Sequence, residues 1–131
     1  MSSQPAPAPT LSVRPMSEKL GAEIRGIDLS APPDAQAFAA ILQTLHRYGV
    51  IFFRGQNLTP DQLAAFSRCF GELDIHHMTE HVFPHLPQVR VLSNVKKDGV
   101  SIGITRGGMH WHSDLSYKPQ PALVTLLYAV E

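Results

Sequence analysis

A single cysteine, Cys69, in 131 residues leaves no intramolecular partner for a disulfide. That excludes a cystine-stapled scaffold and fits a reducing compartment. Charge of one sign is lacking too. Eleven basic side chains balance eleven acidic ones, so no basic field exists to hold a phosphate backbone, which argues against a dedicated nucleic-acid binder. No apolar run approaches the roughly 20 residues of a membrane span. Residues 1–10 have neither the basic nor the apolar region of a secretory signal, so a cytoplasmic protein with no membrane partner is expected. What is present is 44% apolar and 17% charged side chains, the composition of about one soluble domain with a real core. Seven histidines are the conspicuous feature.

Proline at positions 5, 7 and 9 among Ser, Gln and Ala predicts a disordered tail over residues 1–10. Apolar residues alternate in Leu11–Met16 and Ala22–Leu29, which predicts two short strands with a turn through Ser17–Gly21 and a bulge near Gly26. Asp34 is the expected N-cap of a helix carrying Phe38, Ile41, Leu42 and Leu45 at helical spacing, with Gly49 at its end. Val50–Phe53 reads as a buried strand. Thr59, Pro60 and Gln62 form a capping box ahead of Leu63, Phe66 and Phe70, with Gly71 ending this second helix. Asp74–Pro87, which holds His76, His77, His81 and His85, shows no period and reads as a functional loop. Val89–Val95, His110–Tyr117 and Ala122–Val130 are expected strands, and the glycine-rich Lys96–Gly108 a flexible connection.

Chemistry concentrates in His110-Trp111-His112-Ser113-Asp114. On an extended chain His112 and Asp114 project to one face while Trp111 packs on the other. One imidazole and one carboxylate are two thirds of the 2-His-1-carboxylate triad that holds non-haem Fe(II) and leaves positions open for oxygen and a cosubstrate. Chance alone supplies roughly 0.3 His-x-Asp matches in a chain of this composition, so the spacing also suits an ordinary surface pair. A local zinc site of His110, His112 and Asp114 is the other reading. Three ligands from five consecutive strand residues would span about 13 Å, too stretched for one ion. Lys96, Lys97 and Arg106 precede the motif and read as solvated loop charges, with attraction of an anionic substrate as the alternative.

Several blocks occur in order: Leu20-Gly21-Ala22-Glu23-Ile24-Arg25-Gly26-Ile27-Asp28-Leu29; Val50-Ile51-Phe52-Phe53-Arg54-Gly55-Gln56 with Leu58-Thr59-Pro60; Phe70-Gly71-Glu72-Leu73; and Trp111-His112-Ser113-Asp114 with Pro121-Ala122. Together they make residues 11–131 resemble the N-terminal part of the taurine dioxygenase and 2,4-dichlorophenoxyacetate dioxygenase family of Fe(II)- and 2-oxoglutarate-dependent enzymes. The resemblance implies an α+β protein with a double-stranded β-helix (jelly roll) of the clavaminate synthase-like type, present only as its N-terminal part with two flanking helices. It implies Fe(II) as metal, held by His112 and Asp114, with 2-oxoglutarate as cosubstrate. O2 and a small, anionic substrate of the sulfonate or aryloxyacetate type would be the partners, with a homo-oligomer left open. His76 matches a substrate-binding histidine, with neighbouring His77 leaving the register open by one. The second iron histidine and the threonine and arginine that bind 2-oxoglutarate have no matching position and are expected beyond residue 131, so the chain is expected to be inactive alone. The competing expectation is a small non-enzymatic metal-binding or interaction module that pairs Ala122–Val130 with another chain. A self-contained zinc hydrolase is the third.

Overall fold

The computed structural model describes residues 11–75 and 80–130. They form two compact units that divide between Gln62 and Leu63, and the predicted tail over residues 1–10 lies outside the described residues.

In the first unit, strands β1 (Ser12–Pro15) and β2 (Ala22–Arg25) pair antiparallel with Val13 opposite Ile24. The turn between them closes through Gly21, whose φ of 84° suits a residue without Cβ, and through Ser17, whose hydroxyl accepts from Leu20 N at 2.9 Å. Helix α1 (Ala35–Tyr48) starts at Asp34, whose carboxylate accepts from Ala37 N at 2.8 Å, and stops at Gly49 in the left-handed region. Its end delivers the chain to β3 (Ile51–Phe52), parallel to β2, with Ala22 N bonded to Val50 O at 3.0 Å. The sheet order is β1-β2-β3. Ala22 and Ile24 of the sheet and Ile41 of α1 are buried, as the two periodicities require. Past β2, the Gln56 amide accepts from Leu29 N at 2.9 Å and donates to Ile27 O at 3.0 Å, tying the segment after β2 to the segment after β3.

The other face of β2 is polar yet covered. Glu23 is only 3% exposed. Its carboxylate meets Arg25 Nη2 at 2.6 Å, Arg54 Nε at 3.6 Å and Arg14 Nη1 at 4.0 Å, so the burial is offset by three guanidinium groups.

Helix α2 (Pro60–Arg68) begins in the predicted capping box: Gln62 Oε1 accepts from Thr59 N at 2.8 Å and Thr59 Oγ1 accepts from Gln62 N at 3.2 Å. In the second unit, Ala64 and Phe66 are buried and Phe66 meets Phe70 edge to face at 5.4 Å.

Beyond this helix the expectations need revision. Within the predicted loop Asp74–Pro87, β4 (Val82–Phe83) turns back on β5 (Leu86–Arg90), a hairpin with an irregular register. The connection Lys96–Gly108 is also structured: β6 (Lys96–Lys97) and β7 (Val100–Ser101) pair around Asp98 and Gly99, both at positive φ, the conformation an Asp-Gly hairpin turn demands. Leu92 then bridges Ile104 in parallel, and Gly103 is obligatory there because a Cβ would stand 2.8 Å from Val91 O and from Ser93 N. Val89–Val95 is a strand only to Arg90, plus that bridge.

Neither His110–Tyr117 nor Ala122–Val130 forms a ladder. In the first, Leu115 adopts φ 53° and Lys118 N bonds to Leu115 O at 3.0 Å, so the chain turns. In the second, half-buried Val124, Leu126 and Tyr128 alternate with exposed neighbours, but a strand needs a paired backbone as well as alternation. At Gly26 the strand ends, with φ 78°, and no bulge forms. The sheets among the described residues have three, two and two strands, so they do not by themselves make a double-stranded β-helix.

Candidate metal centre

His112 and Asp114 do come together, in a segment that is not a strand. The glycine pair Gly107-Gly108 leads into residues 109–113, which follow no regular element. Gly108 sits at φ 72°, and a Cβ on it would lie 3.3 Å from His112 Cε1, so the close approach of backbone to imidazole depends on glycine. Asp114 opens the turn that Leu115 and Lys118 close, and Lys118 Nζ forms an ion pair with Asp74 at 2.5 Å.

His112 Nε2 stands 3.2 Å from Asp114 Oδ1, with the side chains 52% and 48% exposed. The opposite ring atom, Nδ1, lies 2.6 Å from the carbonyl oxygen of His110. A carbonyl only accepts, so Nδ1 carries the hydrogen, and in the neutral ring Nε2 presents its lone pair to the carboxylate. A proton between these two atoms makes an imidazolium–carboxylate ion pair, and a metal ion between them uses both as ligands. Adjacent ligands of an octahedral ion with bonds of about 2.1 Å are about 3.0 Å apart, close to the observed separation. The donor types and their spacing therefore fit two adjacent positions around a divalent metal. The second oxygen of the carboxylate, Oδ2, accepts from Thr125 Oγ1 at 2.8 Å.

The other expected residues fall differently. Among the described residues no three His, Cys, Asp or Glu side chains group around a metal position, so the local zinc site of His110, His112 and Asp114 does not form; His110 contributes its carbonyl instead. Trp111, expected to pack against the opposite face, is fully exposed because there is no sheet behind it. His76 and His77 lie outside the described residues. Lys96, Lys97 and Arg106 are exposed. Thr125 and the His110 carbonyl were not singled out from the sequence. A hydroxyl inside the apolar run Ala122–Val130 was a usable signal for the first, whereas a backbone acceptor leaves none.

The model of the taurine catabolism dioxygenase TauD, TfdA family matches residues 12–131. The chain belongs to this family. Among relatives, an alpha-ketoglutarate-dependent sulfonate dioxygenase of Saccharomyces cerevisiae is 34% identical over 92% of this chain and 30% of its own length. An (S)-phenoxypropionate/alpha-ketoglutarate-dioxygenase of Delftia acidovorans is 30% identical over 84% of this chain and 38% of its own. The crystal structure of a taurine dioxygenase from Burkholderia xenovorans superposes with a TM-score of 0.57 at 39% identity, covering 60% of this chain and 28% of that one. The chain thus spans about a third of the length of the curated TauD/TfdA relatives it matches.

Proposed function

We propose that this chain carries part of the active site of an Fe(II)- and 2-oxoglutarate-dependent dioxygenase acting on a small anionic substrate of the sulfonate or aryloxyalkanoate type. The observation that carries the reading is the pair His112 Nε2 and Asp114 Oδ1 at 3.2 Å in a chain of the TauD/TfdA family. The substrate class follows the names of its sulfonate and phenoxypropionate relatives. The jelly-roll architecture belongs to the same proposal.

His112 and Asp114 would hold the metal, and the His110 carbonyl fixes the ring tautomer that leaves Nε2 available. Bound Fe(II) supplies open coordination positions at which a 2-oxo acid and oxygen can be activated. Half exposure of both ligands leaves the site open to an incoming cosubstrate. Two protein donors hold iron weakly, so the 131-residue chain alone is proposed to bind metal without turnover.

Anaerobic Fe(II) titration followed by calorimetry tests this. The expected result is one bound equivalent, weakened at least about 10-fold in His112→Ala and in Asp114→Asn; equal binding by all three proteins overturns the assignment. With 2-oxoglutarate added, no visible charge-transfer band is expected from the chain alone. A band would overturn the proposed inactivity.

A further inference from the structure

We propose that Thr125 is a positioning residue for the metal-binding carboxylate; this rests on the reading of His112 and Asp114 as metal ligands. The Thr125 hydroxyl donates to Asp114 Oδ2 at 2.8 Å, while Asp114 Oδ1 faces His112 Nε2 at 3.2 Å. The two oxygens therefore have separate tasks. One is held by a hydroxyl from a segment eleven residues further along the chain, and the other is directed at the metal position. With Oδ2 engaged, rotation of the carboxylate is restrained and monodentate ligation through Oδ1 is favoured over a chelate.

The need for such a restraint follows from exposure. A carboxylate that is 48% exposed, on a residue opening an irregular turn, would otherwise sample many orientations, and ordering it would subtract from metal affinity. Threonine suits the task because its β-branch stiffens χ1. Thr125 is itself exposed, between half-buried Val124 and Leu126. Its hydroxyl stands in an otherwise apolar run, Ala-Leu-Val-Thr-Leu-Leu-Tyr-Ala-Val, where only the Tyr128 hydroxyl is also polar. The imidazole has a matching arrangement, its Nδ1–H anchored on the His110 carbonyl. Each proposed ligand thus has one atom for the metal and one for the protein, the pattern by which outer partners tune first ligands.

The test is a Co(II) titration of the full chain, read by visible absorption, for the wild type, Thr125→Val and Thr125→Ser, with His112→Ala as reference. Valine keeps the shape and removes the donor. The expected result is a Co(II) affinity lowered roughly 10- to 100-fold in Thr125→Val, an altered Co(II) spectrum, and recovery of both in Thr125→Ser, with the metal-free melting temperatures of the three proteins alike. Thr125→Val binding as tightly as wild type, while His112→Ala does not, overturns the inference and leaves the metal ligands standing. Loss of affinity that serine fails to recover, accompanied by a lowered metal-free melting temperature, also overturns it, because Thr125 would then be structural. Wild-type binding that His112→Ala leaves unchanged overturns the ligand reading and this inference with it.

Discussion

Glu23 shows how one residue couples charge to the fold. The hydrogen bond from Arg25 holds its carboxyl below the usual carboxylate range, burial pulls the other way, and the charges of Arg25, Arg54 and Arg14 add to the lowering. The native value lies below that of the unfolded chain, so ionised Glu23 stabilises the native state. That contribution is complete above the ordinary glutamate value of about 4.3 and is lost as pH falls through the lowered native value. Asp28 contributes in the same direction, lowered chiefly by the Ser30 N–H that donates to it at 2.9 Å. Glu23→Gln is therefore expected to melt lower than wild type at pH 7, where the arginines lose their anion, and to show a shallower, though not flat, decline below about pH 4. Melting temperatures across pH 2.5–7 measure both effects; parallel acid limbs for the two proteins would show that Glu23 is not the group titrating.

At the scale of elements, legibility in the sequence followed how local the determinants are. Helix α1 is specified by side chains within itself: the Asp34 cap, the spacing of Phe38, Ile41, Leu42 and Leu45, and Gly49 at the end. The capping box of α2 is as local. Asp34→Ala is expected to cost about 1 kcal/mol and Ile41→Ala, which empties a buried position, about 2–5 kcal/mol; urea melts of both measure the order. The β6–β7 hairpin was legible and missed, since Asp98-Gly99 is a strong turn signal that three further glycines in the same stretch obscured. Residues 110–117 suggest a strand by alternation and residues 122–130 by an almost unbroken apolar run, although pairing is a non-local property that neither pattern can supply. The site was legible as a pair of residue types, but the reason for their approach was not. Leu115 turns the chain just past Asp114, and Gly108 leaves room for the imidazole of His112, where a straight strand was expected.

For the whole molecule, motif order proved more informative than composition. Balanced charge and a lone cysteine suit countless soluble proteins, whereas the succession of blocks from Leu20 to Ala122 placed the chain in the TauD/TfdA family that its match over residues 12–131 shows. No helix among the described residues is long and apolar enough to cross a membrane. The chain divides into two compact units, and the proposed metal ligands, with the groups that anchor them, all lie in the second. The most direct test of that placement is paramagnetic broadening by Mn(II) in amide-resolved NMR spectra of the full chain. The account predicts broadening centred on residues 108–114 and Thr125 that disappears in His112→Ala; broadening centred elsewhere, for instance on the His81–His85 hairpin, or unchanged by His112→Ala, would contradict it.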